Sequence, residues 1–74
     1  MQTTNIMLGT INDVKDFVNT ISRCEFDVDL ISGRYAIDAK SIMGIFSLDL
    51  SKPIRIEAHT SDTSFLDDIK RFIV

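Results

Sequence analysis

The apolar residues of this chain recur with two different periods, and the order in which those periods alternate limits the possible folds. Between positions 11 and 21, and again after position 64, apolar residues return every three or four positions, as on one face of a helix. Around positions 26–30, 34–39 and 54–58 they alternate with polar residues, as in strands that bury one face. Each element therefore has one apolar side that another element must cover.

The first half of the chain predicts a strand, a helix and a hairpin. Residues 2–8 indicate a short strand, and the T-x-x-D sequence that begins at Thr10 is typical of a capping box at the head of a helix over residues 12–23. The apolar stripe of this helix consists of Ile11, Val14, Phe17, Val18 and Ile21. Alternating residues on both sides of Ser32-Gly33 predict two strands joined by a tight turn.

The second half predicts a short helix, a strand and a final helix. Ser41 directly precedes an apolar run, where its hydroxyl can accept a bond from the N–H of the second or third helical residue, so we expect a helix from Ser41 to about Leu48. Lys52-Pro53 ends that pattern and starts a strand over residues 54–58. The final amphipathic helix carries Phe65, Leu66, Ile69, Phe72 and Ile73.

The element order β-α-β-β-α-β-α predicts an α+β open-faced sandwich, in which three helices cover one face of a four-stranded antiparallel sheet. Seventy-four residues make a single domain, residues 1–74, with little room for an elaborate buried active site. The hydrophobic fraction of 45% excludes a disordered or fibrous chain.

The segment KSIMGIFSLDL, residues 40–50, resembles the regulatory-serine region of HPr, the phosphocarrier protein of the bacterial sugar phosphotransferase system. In that family a strand leads into K-S-I-M-G, then a short apolar helix and S-L. The matching residues here are Lys40, Ser41, Ile42, Met43, Gly44, Ser47 and Leu48. The resemblance extends over nearly the whole chain and implies an HPr-like fold in a cytoplasmic, non-enzymatic protein without a cofactor.

The resemblance also exposes a departure at the start of the first helix. HPr carries phosphate there on a histidine within G-[IL]-H-A-R-P-A. An ungapped alignment places Thr10 at that histidine, Asn12 at the arginine and Asp13 at the proline. A phosphohistidine relay needs an imidazole nitrogen as nucleophile, which threonine lacks. We therefore expect no catalytic residue here, and expect Thr10 to cap the helix.

The resemblance implies a regulatory role for Ser41. In HPr proteins of many Gram-positive bacteria the matching serine is phosphorylated by HPr kinase/phosphorylase with ATP, and the product docks a catabolite-control transcription factor. The same relationship implies Ile42, Met43 and Phe46 as a partner-binding patch. The simpler interpretation is a plain helix cap with core side chains beside it. We expect Ile45 to point inward.

Two other functions stay open beside this regulatory or adaptor role. The chain could be an HPr-fold interaction domain with no remaining role in the phosphotransferase system. It could also carry phosphate on His59, its one histidine, although His59 lies at the end of a strand, far along the chain from the first helix. We expect His59 to be a solvated strand residue.

The composition of the chain argues against several other classes of protein. The net charge of −3 argues against nucleic-acid binding, which usually needs a basic face. No apolar run is long enough to span a bilayer, and the first residues lack the pattern of a signal peptide. Cys24 has no partner for a disulfide, which is typical of a reducing cytoplasm, and we expect a packed thiol. No residues have the spacing of metal ligands.

Overall fold

Four strands form one antiparallel sheet, and three helices cover one of its faces. The computed structural model describes residues 1–74. The strands are β1 (Gln2–Ile6), β2 (Val28–Ser32), β3 (Tyr35–Asp38) and β4 (Ile54–Ala58), in the sheet order β1-β4-β2-β3. The helices are α1 (Ile11–Ile21), α2 (Ile42–Phe46) and α3 (Ser64–Asp68). This architecture confirms the fold class that the sequence predicts.

Strand β4 lies in the centre of the sheet and pairs with both β1 and β2. Its Ile54, Ile56 and Ala58 are buried beneath the helices, whereas Arg55 is exposed on the open face. Because successive side chains of a strand point to opposite faces, this strand separates a dry side from a wet side. The predicted alternation of this strand is therefore confirmed.

The core is a single cluster of fifteen buried residues, all of them apolar. Each helix contributes to it: α1 through Val14, Phe17 and Ile21, α2 through Ile45, and α3 through Phe65. The rings of Phe17 and Phe72 meet edge to face with centroids 5.6 Å apart, an arrangement that aromatic quadrupoles favour. None of the helices combines the length and the apolar composition that a membrane-spanning helix requires.

The prediction of one continuous final helix is wrong. Helix α3 ends at Asp68, a single 3₁₀ turn covers Lys70–Phe72, and Ile73 then forms an antiparallel bridge with Ile6 of β1. The N–H of Met7 donates to the carbonyl of Phe72 at 2.8 Å, and the N–H of Val74 donates to Asn5 at 3.1 Å. These hydrogen bonds to β1 stabilise an extended conformation of the last residues. The same residues could not form them if the helix continued.

The expected burial of Ile11 is also wrong, because Ile11 is 63% exposed. At 100° per residue it lies about 120° around α1 from Phe17, on the flank of the apolar stripe rather than at its centre. The hairpin turn is displaced by one residue and occupies Gly33 and Arg34, with Gly33 at φ 59°. Glycine adopts this left-handed conformation without steric cost.

The same substitution, isoleucine to valine, at one buried and one exposed position tests the assignment of residues to core and surface. Ile45→Val removes a methylene from a fully buried position and should lower the free energy of unfolding by about 1 kcal/mol. Ile11→Val, at an exposed position, should change it by less than about 0.5 kcal/mol. Urea denaturation of both variants gives the comparison, and equal losses would contradict the assigned burial.

Candidate functional site

Ser41 occupies the N-cap of α2 in an extended conformation, with φ −95° and ψ 100°. Its hydroxyl oxygen accepts a hydrogen bond from the N–H of Gly44 at 3.3 Å, while its carbonyl accepts one from Ile45 at 3.0 Å. The residue itself is exposed to solvent. The predicted cap is therefore present, and its oxygen is both held by the helix and accessible from outside.

Gly44 leaves space for that cap. A Cβ atom at this position would lie 3.2 Å from the Ser41 hydroxyl oxygen and 3.3 Å from Cδ1 of Ile37. Both distances are shorter than ordinary carbon contacts, so a larger residue would push against the hydroxyl or against the side chain of β3. The absence of a side chain at Gly44 thus leaves space for the Ser41 hydroxyl in the first turn of α2 and for the side chain of Ile37 on β3.

The apolar side chains of α2 point in two directions. Met43 is 76% exposed and Phe46 is 41% exposed, whereas Ile45 is fully buried. Ile42 is half-buried and packs against the core. Residues three apart share one side of a helix, so Met43 and Phe46 form an outer pair and Ile42 and Ile45 an inner pair. Met43 and Phe46 are therefore the exposed members of the expected patch, Ile42 is its half-buried member, and partner binding by the three residues stays a prediction.

Lys40 fixes the entry to α2 through contacts that the sequence analysis missed. Its ammonium group donates to the carbonyls of Cys24 at 3.0 Å and Phe26 at 3.2 Å, in the segment between α1 and β2. Its backbone N–H donates to the carboxylate of Asp38 at 2.9 Å, and the N–H of Ser41 donates to the Asp38 carbonyl at 3.0 Å. Two segments, the connection between α1 and β2 and the end of β3, thereby hold the residue that precedes the cap.

Cys24 lies beside this lysine. Partial burial raises the pKa of its thiol above the ordinary value, and the charge of Lys40 opposes that effect only in part. A thiol with a raised pKa is mostly protonated at neutral pH and is a poor nucleophile. This agrees with the expectation of a packed structural cysteine.

Side-chain hydrogen bonds also stabilise the chain where it leaves α2. The hydroxyl of Ser47 donates to the carbonyl of Gly44, and Ser51 donates to the carboxylate of Asp49 from both its hydroxyl and its backbone N–H. The bonds from Ser51 hold the pKa of Asp49 below its usual value. The helix is thus fixed at both ends by polar contacts at the surface.

Thr10 caps α1 as predicted. Its hydroxyl accepts a bond from the N–H of Asp13 at 3.0 Å, with the residue extended at φ −136° and ψ 164°. The carboxylate of Asp13 lies 3.7 Å from the guanidinium of Arg71, which the carboxylate of Asp16 approaches to 2.9 Å. Arg71 therefore fastens the chain end to the first turns of α1.

Helices α1 and α2 pack against each other, and each exposes an apolar side chain in its first turn, Ile11 and Met43 respectively. The apolar stripe predicted from the sequence included Ile11, which is instead a surface residue. Its angular position, on the flank of the helical stripe, is the signal that could have identified it.

His59 lies apart from both caps, in the bend that follows β4. Its Nε2 atom is 3.0 Å from a carboxylate oxygen of Asp29 on β2, and both residues are partly exposed. The expectation of a simply solvated residue is therefore incomplete, because the imidazole has a specific carboxylate partner. No group of three or more histidine, cysteine or acidic residues is placed to hold a metal ion.

No protein-family model matches the chain, and no curated protein matches it significantly. Its fold is similar to that of HPr-C-His from Thermoanaerobacter tengcongensis, a crystal structure, with a TM-score of 0.81 over 99% of this chain and 91% of that one. The two sequences are 22% identical over the match. The chain therefore has an HPr-like fold.

Removal of the Lys40 ammonium tests its role in fixing the entry to α2. Lys40→Met should lower the free energy of unfolding by about 1–3 kcal/mol, because two carbonyls lose a charged donor. The matched control is Lys52→Met, at an exposed lysine that forms no ion pair, where we expect less than about 0.5 kcal/mol. Urea denaturation measures both, and a similar loss in the two variants would show that the Lys40 contacts do not stabilise the fold.

Proposed function

We propose that this HPr-like protein is a regulatory or adaptor protein related to the sugar phosphotransferase system, controlled by phosphorylation at Ser41. The observation that carries the proposal is an exposed serine hydroxyl at the start of α2, next to the exposed side chains of Met43 and Phe46. In this proposal the protein is a cytoplasmic substrate of a kinase, is not itself an enzyme and needs no cofactor.

The chemistry at Ser41 is a phosphoryl transfer from ATP. The serine oxygen forms a bond to the γ-phosphorus while the bond to ADP breaks, and a base of the kinase takes the hydroxyl proton. The N–H groups of the first helical turn have no partner within the helix, and the helix dipole is positive there. An added charge of about −1.5 to −2 is therefore compatible with the fold at this position.

The phosphate would complete a docking surface that already contains apolar groups. Met43 and Phe46 supply flexible and aromatic contact area, which is typical of protein-binding surfaces. A partner with a basic group for the phosphate and an apolar recess for Met43 fits this arrangement. By the resemblance, HPr kinase/phosphorylase would be the modifying enzyme and a catabolite-control regulator would be the binding partner.

Two features support a protein that does not carry phosphate on histidine. At the head of α1 the Thr10 hydroxyl accepts a helix-capping bond, and a threonine offers no imidazole nucleophile. The only histidine, His59, interacts with Asp29 after β4. The proposal therefore assigns regulation to the start of α2 and no transfer activity to the start of α1.

A second candidate function is an HPr-fold interaction domain that works without phosphate and outside the phosphotransferase system. The exposure of Ile11, Met43 and Phe46 favours it, because these apolar side chains are open to solvent in the unmodified protein. The two candidates differ in whether partner binding requires a phosphate.

Phosphorylation is tested with the purified protein, HPr kinase/phosphorylase and ATP, by intact mass and peptide mapping. We expect one added phosphate, absent from Ser41→Ala and unchanged in Ser47→Ala, a control at an exposed serine of the same segment. If an authentic HPr in the same tube is labelled while this protein is not, or if Ser41→Ala is still labelled, Ser41 is not the regulated site.

Partner binding is tested by calorimetry with a catabolite-control regulator, using protein with and without phosphate. Met43→Ala should weaken binding of the phosphorylated protein about 5- to 30-fold through lost apolar contact, whereas Val74→Ala, at a remote exposed position, should not change it. If unmodified protein binds equally well, binding does not require the phosphate, and the proposed control by phosphorylation is contradicted. Insensitivity of the phosphorylated protein to Met43→Ala would contradict the place of Met43 in the docking surface.

A further inference from the structure

The two edges of the sheet differ. Beside β1 the chain end supplies a covering segment, since Ile73 forms a bridge with Ile6. Strand β3, at the other edge, pairs only with β2. An uncovered edge presents backbone donors and acceptors that can pair with another strand.

The hydrogen-bond alternation shows which groups of β3 face outward. The N–H of Ala39 donates to Val28 of β2 at 2.8 Å, so that pair is a hydrogen-bonded one. In an antiparallel ladder such pairs alternate with non-bonded ones, which makes the pair of Ala36 with Ile31 a non-bonded one. The N–H and carbonyl of Ala36 therefore point away from β2, and no turn or loop hydrogen bond uses them.

We propose that β3 pairs antiparallel with β3 of a second copy of this chain, with the two-fold axis at Ala36. Pairing requires outward-facing residues to oppose outward-facing residues, and the register centred on Ala36 gives two backbone hydrogen bonds between the two alanines. A centre at Tyr35 would leave one end of the strand unpaired, and a centre at Ile37 would set Asp38 opposite Ala36 rather than opposite a cation. The result is an isologous dimer with a continuous eight-stranded sheet.

This register makes the charged side chains complementary. Arg34, the turn residue directly before β3, comes opposite Asp38 of the other copy, and Asp38 lies on the open face of the sheet because Ile37 lies on the helix side. Asp38 needs such a cation, because within its own sheet it lies opposite Asp29, which in turn lies opposite Glu57. Like charges directly opposite each other are destabilising.

The other charges of that row already have partners. Glu57 lies 3.3 Å from Arg55, and Asp29 lies 3.0 Å from the His59 imidazole. Asp38 receives only the backbone N–H of Lys40, and Arg34 forms no ion pair within its chain. The second copy would supply the missing partner to both residues.

The same register also covers an exposed aromatic side chain. Tyr35 is 71% exposed, and it lies on the helix side of the sheet together with Ile37, since the partner of Ile37 on β2 is the buried Leu30. In the dimer each Tyr35 lies opposite Ile37 of the other copy, an aromatic and β-branched pair that stabilises antiparallel sheets. At the centre, the small side chain of Ala36 allows close approach.

The contact uses a strand of only four residues, so the interface is smaller than that of a stable complex, and we expect a dissociation constant on the order of 0.1–1 mM. Nuclear magnetic resonance over a concentration series measures it, by translational diffusion and amide exchange. We expect slower diffusion at high concentration and a protected Ala36 amide only there.

A charge exchange identifies the register. Arg34→Asp and Asp38→Arg should each raise the dissociation constant about tenfold or more, and the double variant should restore it, because opposite charges then face each other again across the two strands. Lys15→Asp, an equal charge change on exposed α1, is the control. Ala36→Pro removes the outward N–H without touching the ladder to β2, and should abolish the dimer with the fold retained.

Each outcome decides the proposal. A protein that stays monomeric through the series, or a dimer that persists unchanged in Arg34→Asp and Ala36→Pro, overturns it. Loss in the single variants with recovery in the double variant supports it. Should Asp38→Arg fail to fold, Arg34→Asp and Ala36→Pro still give the decision.

Discussion

The burial of alternate side chains along β4 is the constraint on which the rest of the structure depends. This central strand bonds to β1 and β2, and its Ile54 and Ile56 lie opposite Ile6 and Leu30 in the core. A shift of pairing by one residue would turn Arg55 inward, so the register of three strands is set together. Because β2 also pairs with β3, this packing sets the position of the hairpin and of the start of α2.

The position of the Ser41 hydroxyl is fixed by the residues on either side of it in the sequence. Ala39, at the end of β3, is fully buried and bonded to β2, and Lys40 is fastened to the carbonyls beyond α1. Ser41 then begins a helix whose Ile45 is in the core. An exposed hydroxyl is thus held in one position by buried neighbours.

The sequence predicts those parts of the fold that depend on local periodicity and on caps. The alternation around Ile56 and the cap hydroxyls of Thr10 and Ser41 are visible in the residues themselves. The contacts of Lys40 and the pairing of Ile73 with β1 are not visible, because they join segments far apart in sequence. The exposure of Ile11 is only partly predictable from the sequence, because it depends on the angle around α1 between Ile11 and the centre of the apolar stripe.

The central claim is that phosphate resides on the α2 cap and not on histidine. One phosphorus magnetic resonance spectrum tests it, recorded after the protein meets both phosphoenolpyruvate with Enzyme I and ATP with HPr kinase/phosphorylase. We expect a single phosphoserine signal, which Ser41→Ala removes. A phosphohistidine signal, which would place the phosphate on His59, or a spectrum without any protein phosphate beside a labelled authentic HPr, would contradict it.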